Sequence, residues 1–156
     1  MTAYYVTGDP WSMAIRAVTY EIRISQILLY STGSGGTIVR AIRHESSTLT
    51  RGAGGGVLDV VPLYQGAPAA STTGMWGALN FTGTPKVVGS TYLPPGENSD
   101  VVGTTVIHTF PGSTSQIQSP LTLTVAPGSV LEVIGDNEVA GTCQIYFEEL
   151  RLAGSY

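Results

Sequence analysis

The sequence predicts an all-β protein: an antiparallel β-sandwich with a jelly-roll-like arrangement of about eight or nine strands. The 156 residues include 15 Val, 10 Ile and 19 Thr, whose branched side chains suit a pleated sheet better than a helix. Another 20 Gly and 9 Pro separate short apolar runs and indicate many turns. No segment has a convincing helical period. The length suits one domain that spans residues 1–156.

The first predicted strands lie between residues 18 and 43. Residues 18–24 alternate apolar and polar side chains, as in a strand with one wet face. Residues 27–30 are continuously apolar, which is typical of a strand covered on both sides. After a glycine-rich segment, residues 37–43 resume the strand pattern. We therefore expect residues 27–43 to form a hairpin with a long loop.

The middle of the chain is less regular. Residues 57–64 predict a strand, and Pro62 places it at a sheet edge or strand end because proline donates no backbone hydrogen bond. Residues 65–83 are rich in Ala, Gly, Ser, Thr and Pro and predict a long ordered loop. Loops of this length are usually functional or wrongly assigned. Trp76 is a candidate contact residue in that loop.

Three Pro-Gly pairs punctuate the second half, at residues 95–96, 111–112 and 127–128. Each predicts a turn, because proline presets φ at one central position and glycine accepts a positive φ at the next. The intervening strands are predicted at residues 101–110, 121–125, 130–134 and 142–150. In the last strand, Cys143, Ile145 and Phe147 share a face, so the cysteine is expected to be a buried hydrophobic residue.

Residues 1 to about 14 predict a short aromatic arm. Its large amphipathic rings need a covering surface, either the protein's own sandwich or a neighbouring subunit. Tyr4, Tyr5 and Trp11 are therefore candidate contacts with a neighbouring subunit or another protein partner. Asp9 and Pro10 could begin a short helix, but we expect no helix here.

Few residues form a pattern typical of catalysis or metal binding. His44 and His108 lack ligands at metal-binding spacing and are expected to be structural. Glu148 and Glu149 point to opposite faces of a strand and cannot act as a facing carboxylate pair. One of them is expected to be an inward or interfacial acid that pairs with an arginine such as Arg151 or Arg40.

The remaining signals for a bound metal or an enzyme are weak. Residues 136–138 cluster oxygen ligands in a turn, but without the spaced carboxylates of a calcium loop, and solvation explains them. No nucleophile with its base, carboxylate pair or metal cluster is found. We predict a protein that is not an enzyme and has no cofactor or metal.

The formal charge of −4, with one Lys and six Arg, supplies no basic stripe for phosphates and argues against direct nucleic-acid binding. The sequence lacks a long apolar membrane segment and begins without signal-peptide features. One cysteine cannot form an internal disulfide. We therefore expect synthesis in a reducing host cytoplasm and no membrane partner.

Two parts of the chain resemble the small virion proteins of tailed phages. The first is ILLYSTGSGGTIVRAIR at residues 27–43, where an apolar strand meets a Gly-Ser-Gly turn and returns as a β-branched strand. The second is LTLTVAPGSVLEV at residues 121–133, followed by IYFEE at residues 145–149. Together these segments cover between a fifth and a quarter of the chain, and their motifs are structural.

The resemblance implies a capsid decoration protein, or a head-fibre or tail component. Such a protein assembles, commonly as a homotrimer, and binds the major capsid protein on the outside of the virion. A different hypothesis is a carbohydrate-binding sandwich for host attachment, in which Trp76, Trp11 or loop tyrosines stack on sugars. The first hypothesis predicts a protein whose purpose is adhesion.

Overall fold

The computed structural model describes residues 2–9, 12–31, 36–93, 104–108, 123–137 and 141–151. These residues form an antiparallel β-sandwich, as predicted, with no helix among them. They contain fourteen strands rather than eight or nine, mainly because six strands lie within residues 2–16, 49–51 and 73–93, where the sequence predicted none. The jelly-roll arrangement stays a prediction.

The strands are numbered in chain order. They are β1 Thr2–Gly8, β2 Ser12–Arg16, β3 Ile22–Ser31, β4 Thr37–Glu45, β5 Leu49–Arg51, β6 Gly56–Leu58, β7 Val60–Pro62, β8 Thr73–Trp76, β9 Leu79–Phe81, β10 Thr84–Leu93, β11 Thr104–His108, β12 Leu123–Val125, β13 Val130–Gly135 and β14 Gly141–Glu149.

Two six-stranded sheets make up the sandwich. Sheet A has the order β11-β3-β14-β1-β7, with β12 also paired to β3. Sheet B has the order β10-β4-β13-β2-β8-β6. Strands β5 and β9 form a separate two-stranded sheet, sheet C. Every strand pair is antiparallel, so the connections run between neighbours or cross from one sheet to the other.

The main core lies between sheets A and B. Alternate residues of each strand point into it, as the period of two requires. Its largest fully buried side chains include Tyr4, Met13, Ile15, Phe147 and Leu131. Cys143, Ile145 and Phe147 are at most 1% exposed, which confirms the inward face predicted for the last strand. Burial raises the pKa of the Cys143 thiol.

A second, smaller core lies on the outer side of sheet B. Ala14 and Val130 are fully buried there and pack with Leu49 of sheet C, against which Phe81 also packs. Sheet C thus forms a third layer that covers part of sheet B. This layer buries side chains that a simple sandwich would leave facing water.

The predicted hairpin over residues 27–43 is wrong. Strand β3 belongs to sheet A and β4 to sheet B, so the chain crosses from one sheet to the other instead of pairing with itself. The pattern identified both strands, but alternation does not indicate which sheet a strand joins. The strand predicted over residues 18–24 begins only at Ile22, and Val18 is 41% exposed.

The described residues of the predicted N-terminal arm are strands of the protein's own sandwich, which is one of the two coverings expected for it. Strand β1 pairs with β14 on one side and with β7 on the other, and β2 lies between β13 and β8. Tyr4 and Val6 alternate with less buried neighbours, so this segment has the period of a sheet strand. Residues 12–16 form a strand, which agrees with the expectation of no helix.

The predicted strand over residues 57–64 is divided at Asp59. Strand β6 lies at the edge of sheet B, whereas β7 lies at the edge of sheet A, with Pro62 at its end as expected. The predicted loop over residues 65–83 contains β8 and β9. Small residues such as Gly74 allow close packing there, since a side chain at that position would crowd Leu58 and Val6.

The turn at residues 127–128 is confirmed. Gly128 has a φ of 86°, and the Ser129 amide donates to the Ala126 carbonyl at 3.0 Å, the hydrogen bond of a four-residue turn. The other two Pro-Gly pairs, at residues 95–96 and 111–112, lie outside the described residues. Among the described residues, no helix is long and apolar enough to span a membrane.

Candidate functional site

Tyr4, a predicted subunit contact, belongs to the core instead. It is fully buried, and its ring stacks on Phe147 with the centroids 5.7 Å apart. Its hydroxyl donates to the Pro68 carbonyl at 2.8 Å and accepts from Arg151 at 3.2 Å. Tyr4 therefore has no surface available to another subunit, because strand alternation turns it inward.

Glu149 joins Tyr4 in a buried polar network. Its Oε2 accepts hydrogen bonds from the backbone N–H and hydroxyl groups of both Ser71 and Thr72, at 2.7 to 3.1 Å. Its Oε1 lies 2.8 Å from an Arg151 nitrogen. This confirms the predicted inward acid with an arginine partner. The network attaches the segment before β8 to the end of β14.

The same contacts determine how Glu149 titrates. Burial opposes ionisation of the carboxyl group, but the hydrogen bonds from Thr72, Arg151 and Ser71 outweigh it and lower its pKa. A lowered pKa means that the folded protein favours the carboxylate more than the unfolded chain does. The carboxylate therefore stabilises the fold at neutral pH.

This leads to a prediction about acid stability. The contribution of Glu149 should be fully present above its unfolded pKa of about 4.5 and be lost as pH falls through the lower folded pKa. Glu149→Gln should therefore be destabilised at pH 7 and show a smaller loss of unfolding free energy on acidification. Urea titrations between pH 7 and pH 3 measure this. Identical pH slopes for wild type and variant would contradict it.

The other predicted N-terminal contact, Tyr5, lies on the outer face of sheet A. Its ring stacks on Tyr146 of β14 with the centroids 5.7 Å apart, and Val61 of β7 is its partner on the other side. We call the outward surface formed by Tyr5, Tyr146, Val61 and Leu63 the tyrosine face. These four side chains carry no charge. Trp11 lies outside the described residues.

Exposed apolar side chains continue the tyrosine face toward the sheet edge. Val61 is 37% exposed and Leu63 47% exposed, and nearby Tyr64 is 64% exposed. Tyrosine and apolar residues without charges are typical of the centre of a protein interface. Tyr5 thus remains a candidate contact, and Tyr146 and Val61 join it.

A groove of about 500 Å³ opens on the opposite side of the molecule. Its floor is the outer face of sheet B at Ser12, Glu132 and Ile134, and one wall includes the turn at residues 53–54 and Leu79. Asp136 lies at the rim, where it forms an ion pair with Arg40. The volume is within the usual range for ligand pockets.

Glu132 and His44 form the polar centre below this groove. Glu132 Oε1 lies 2.8 Å from His44 Nε2, and both side chains are 9% exposed. Phe81 of sheet C stacks on the imidazole with the ring centroids 3.9 Å apart and 5° between the ring planes. His44 is thus a structural histidine, as predicted. Strand pairing places Glu132 opposite Ile42, two residues before His44 on neighbouring β4. The sequence did not reveal that Glu132 and His44 lie close together.

Trp76 lines the groove, but its ring also packs against the main core. A side chain added at Gly56 would overlap the indole, so the ring lies directly over the backbone of β6. Trp76 lies on β8, which pairs with β2 on one side and β6 on the other, and not in the long ordered loop that the sequence predicted. Trp76 therefore offers only part of its surface to a ligand.

The remaining predicted site residues belong to structural contacts or to no cluster. No three His, Cys, Asp or Glu side chains within the described parts of the chain converge as a metal site. The acidic cluster at residues 136–138 is described only to residue 137, and there Asp136 pairs with Arg40. His108 is the last residue of β11, and its side chain lies outside the described part of the structure.

Comparison with known proteins provides no relative. The chain matches no protein-family model, no curated protein and no solved structure.

Proposed function

We propose that this protein is a non-enzymatic structural component of a tailed-phage virion, most specifically a capsid decoration protein. It self-associates, as a homotrimer in the type of protein that the sequence resembles, and binds the major capsid protein on the outer surface of the particle. The function is adhesion between protein surfaces, with no cofactor, no direct nucleic-acid contact and no membrane partner.

The tyrosine face is the observation that carries this proposal. A broad outward surface with stacked Tyr5 and Tyr146 beside exposed Val61 and Leu63 loses little side-chain entropy when it is covered. The resemblance of residues 27–43 and 121–133 to phage virion proteins supports an adhesive role for this surface. A protein that binds only the assembled shell stabilises it by mass action, by about 2.7 kcal/mol per site at a free concentration one hundred times the dissociation constant.

A carbohydrate-binding module for host attachment, or a tail or fibre component, is the alternative function. Trp76 beside Glu132 in the groove supports sugar binding in part, because an aromatic ring and a carboxylate are common contacts of sugars. The burial of much of the indole against the main core weakens this reading. A glycan array with Trp76→Ala as control distinguishes the two functions, since a decoration protein should show no saccharide dependence.

The proposed function predicts self-association that depends on the tyrosine face. The purified protein should have a mass of three times its 16.3 kDa monomer by light scattering. Tyr146→Arg should weaken association by about tenfold or more, because the new charge would be desolvated among the uncharged side chains of the tyrosine face. Binding to assembled particles, measured by co-sedimentation, should fall in parallel.

A matched control is Thr50→Arg, which adds the same side chain at an exposed position of sheet C. It should leave both the mass and particle binding unchanged. A wild-type protein that remains monomeric and does not sediment with particles would overturn the proposed function. Equal losses in both variants would show that the tyrosine face is not the surface responsible.

A further inference from the structure

The Glu132 carboxylate in the groove has one oxygen bonded within the fold and one without a partner among the described residues. The Glu132 side chain is 9% exposed, and its Oε1 is held by His44. Among the described residues, none forms a hydrogen bond with Oε2. In the described regions, the buried side-chain atoms that lack a hydrogen-bond partner are the Nε atoms of Arg23, Arg43 and Arg151. Glu132 Oε2 also lacks a partner there but is not one of these buried atoms, so it is accessible. Because Glu132 lines the groove, this oxygen is available to a ligand there.

The fold holds this carboxylate in place before any ligand arrives. His44 bonds one oxygen at 2.8 Å, and Phe81 covers the imidazole face to face. The histidine therefore cannot turn without unstacking from Phe81. A group that is already fixed loses little conformational entropy on binding, so Glu132 is a rigid acceptor at the groove floor.

The groove walls suit an aliphatic chain. Leu79 and Ile134 are apolar, and Ala53, Gly54 and Gly77 leave room between them. A narrow extended side chain could lie along these residues and reach the floor. Methylene groups would cover the apolar walls, while a polar head would meet the carboxylate.

The charges near the groove favour a cationic head group. Arg40 forms an ion pair with Asp136, and Arg51 donates to the Gly55 carbonyl at 3.0 Å. Both arginines thus already have partners, whereas Glu132 Oε2 has no basic partner in the described chain. A hydrogen bond between two charged groups is about twice as strong as a neutral one, and the net charge of −4 attracts basic partners.

We propose that the groove receives a lysine or arginine side chain of a second protein, with its stem along Leu79 and Ile134 and its charged head on Glu132 Oε2. The inference deepens the proposed function by naming the chemistry of a partner. It rests on that function only for the partner's identity, which would be the capsid protein. The binding chemistry itself is testable without particles.

The probes are two tripeptides that differ in one charged group: acetyl-Gly-Lys-Gly-amide and acetyl-Gly-norleucine-Gly-amide. Titration into the full isotope-labelled chain, followed by amide chemical shifts, should move the signals of Ser12, Gly77 and Gly135 at the groove. The lysine peptide should bind with a dissociation constant on the order of a millimolar. Its affinity for the protein should exceed that of the norleucine peptide by about tenfold.

Two variants locate the contact. Glu132→Gln keeps an acceptor for His44 and should remove the preference for lysine, whereas Glu148→Gln on sheet A should not change it. Ala53→Phe fills the groove without altering Glu132 and should abolish binding of both peptides. Thermal melts establish that each variant is folded, and the Ala53→Phe result tests the site independently should Glu132→Gln unfold.

Three outcomes would overturn the inference: no groove shifts with the lysine peptide, equal binding of the norleucine peptide, or Glu132-dependent binding of methyl glucoside in place of the lysine peptide. Co-sedimentation of wild type and Glu132→Gln with particles separates this inference from the proposed function. A wild-type protein that binds particles but not the lysine peptide retains the proposed function and loses the inference.

Discussion

Replacement of Glu149 by alanine is expected to lower the free energy of unfolding by about 3–5 kcal/mol. The side chain of Arg151 is 7% exposed and would keep a charge with no carboxylate partner. The donors of Ser71 and Thr72 would lose their acceptor as well. Since domains are stable by about 5–15 kcal/mol in total, the variant should melt roughly 6–20 °C below wild type.

Urea unfolding followed by tryptophan fluorescence measures this loss. Glu148→Ala is the matched control, because the neighbouring carboxylate faces outward on the same strand and should change stability by about 0.5 kcal/mol or less. The double variant Glu149→Ala/Arg151→Ala should be more stable than the sum of the two single losses suggests. A loss below about 1 kcal/mol for Glu149→Ala would show that the network does not hold the fold together.

A loss of similar size, about 3–5 kcal/mol, is expected for Phe147→Ala. Phe147 is 1% exposed and stacks on Tyr4, which also carries the hydrogen bonds to Pro68 and Arg151. Truncation would leave a cavity between the two sheets and remove the surface on which Tyr4 rests. The denaturation midpoint should fall while the denaturant dependence stays close to that of wild type.

Tyr146→Ala provides the comparison within the same strand. Tyr146 is adjacent to Phe147 but faces outward in the tyrosine face, so its truncation should cost the monomer about 1 kcal/mol and act mainly on association. The two neighbouring substitutions should therefore separate stability from assembly. Similar stability losses for both variants would contradict the inward and outward assignment of the strand.

The last strand and the turn before β13 were predictable because each depends on local chemistry. Cys143, Ile145 and Phe147 alternate with polar residues, and a strand with this pattern buries one face wherever it is placed. Pro127 and Gly128 select a turn through their own backbone preferences. Neither inference needs knowledge of distant contacts, and the structure agrees with both.

The sheet membership of strands was not predictable from local patterns. Strand β4 has the expected position, whereas β3 joins the two segments predicted as separate strands over residues 18–24 and 27–30. The two strands lie in different sheets, because alternation determines only which side of a strand is buried. Strands β8 and β9 were missed because they are only four and three residues long, too short to show a period of two. Their pairing with β2, β6 and β5 supplies the hydrogen bonds that their composition does not indicate.

The candidate site was predictable only in part. Tyr5, a predicted contact, lies on the outer face of sheet A, but the same reasoning selected Tyr4, whose inward position depends on strand pairing. Glu132 and His44 are 88 residues apart, and nothing near either one in sequence indicates the other. Such a pair becomes visible only when β4 and β13 are placed side by side.

Sheet C gives the molecule two unlike sides. It covers sheet B and frames the groove there, whereas the tyrosine face lies on sheet A and points the opposite way. A subunit that uses both sides at once is bivalent: it can hold a copy of itself with one side and a basic partner with the other. In a ring of such subunits, each attachment after the first is intramolecular. Individually weak contacts would therefore add up to tight overall binding.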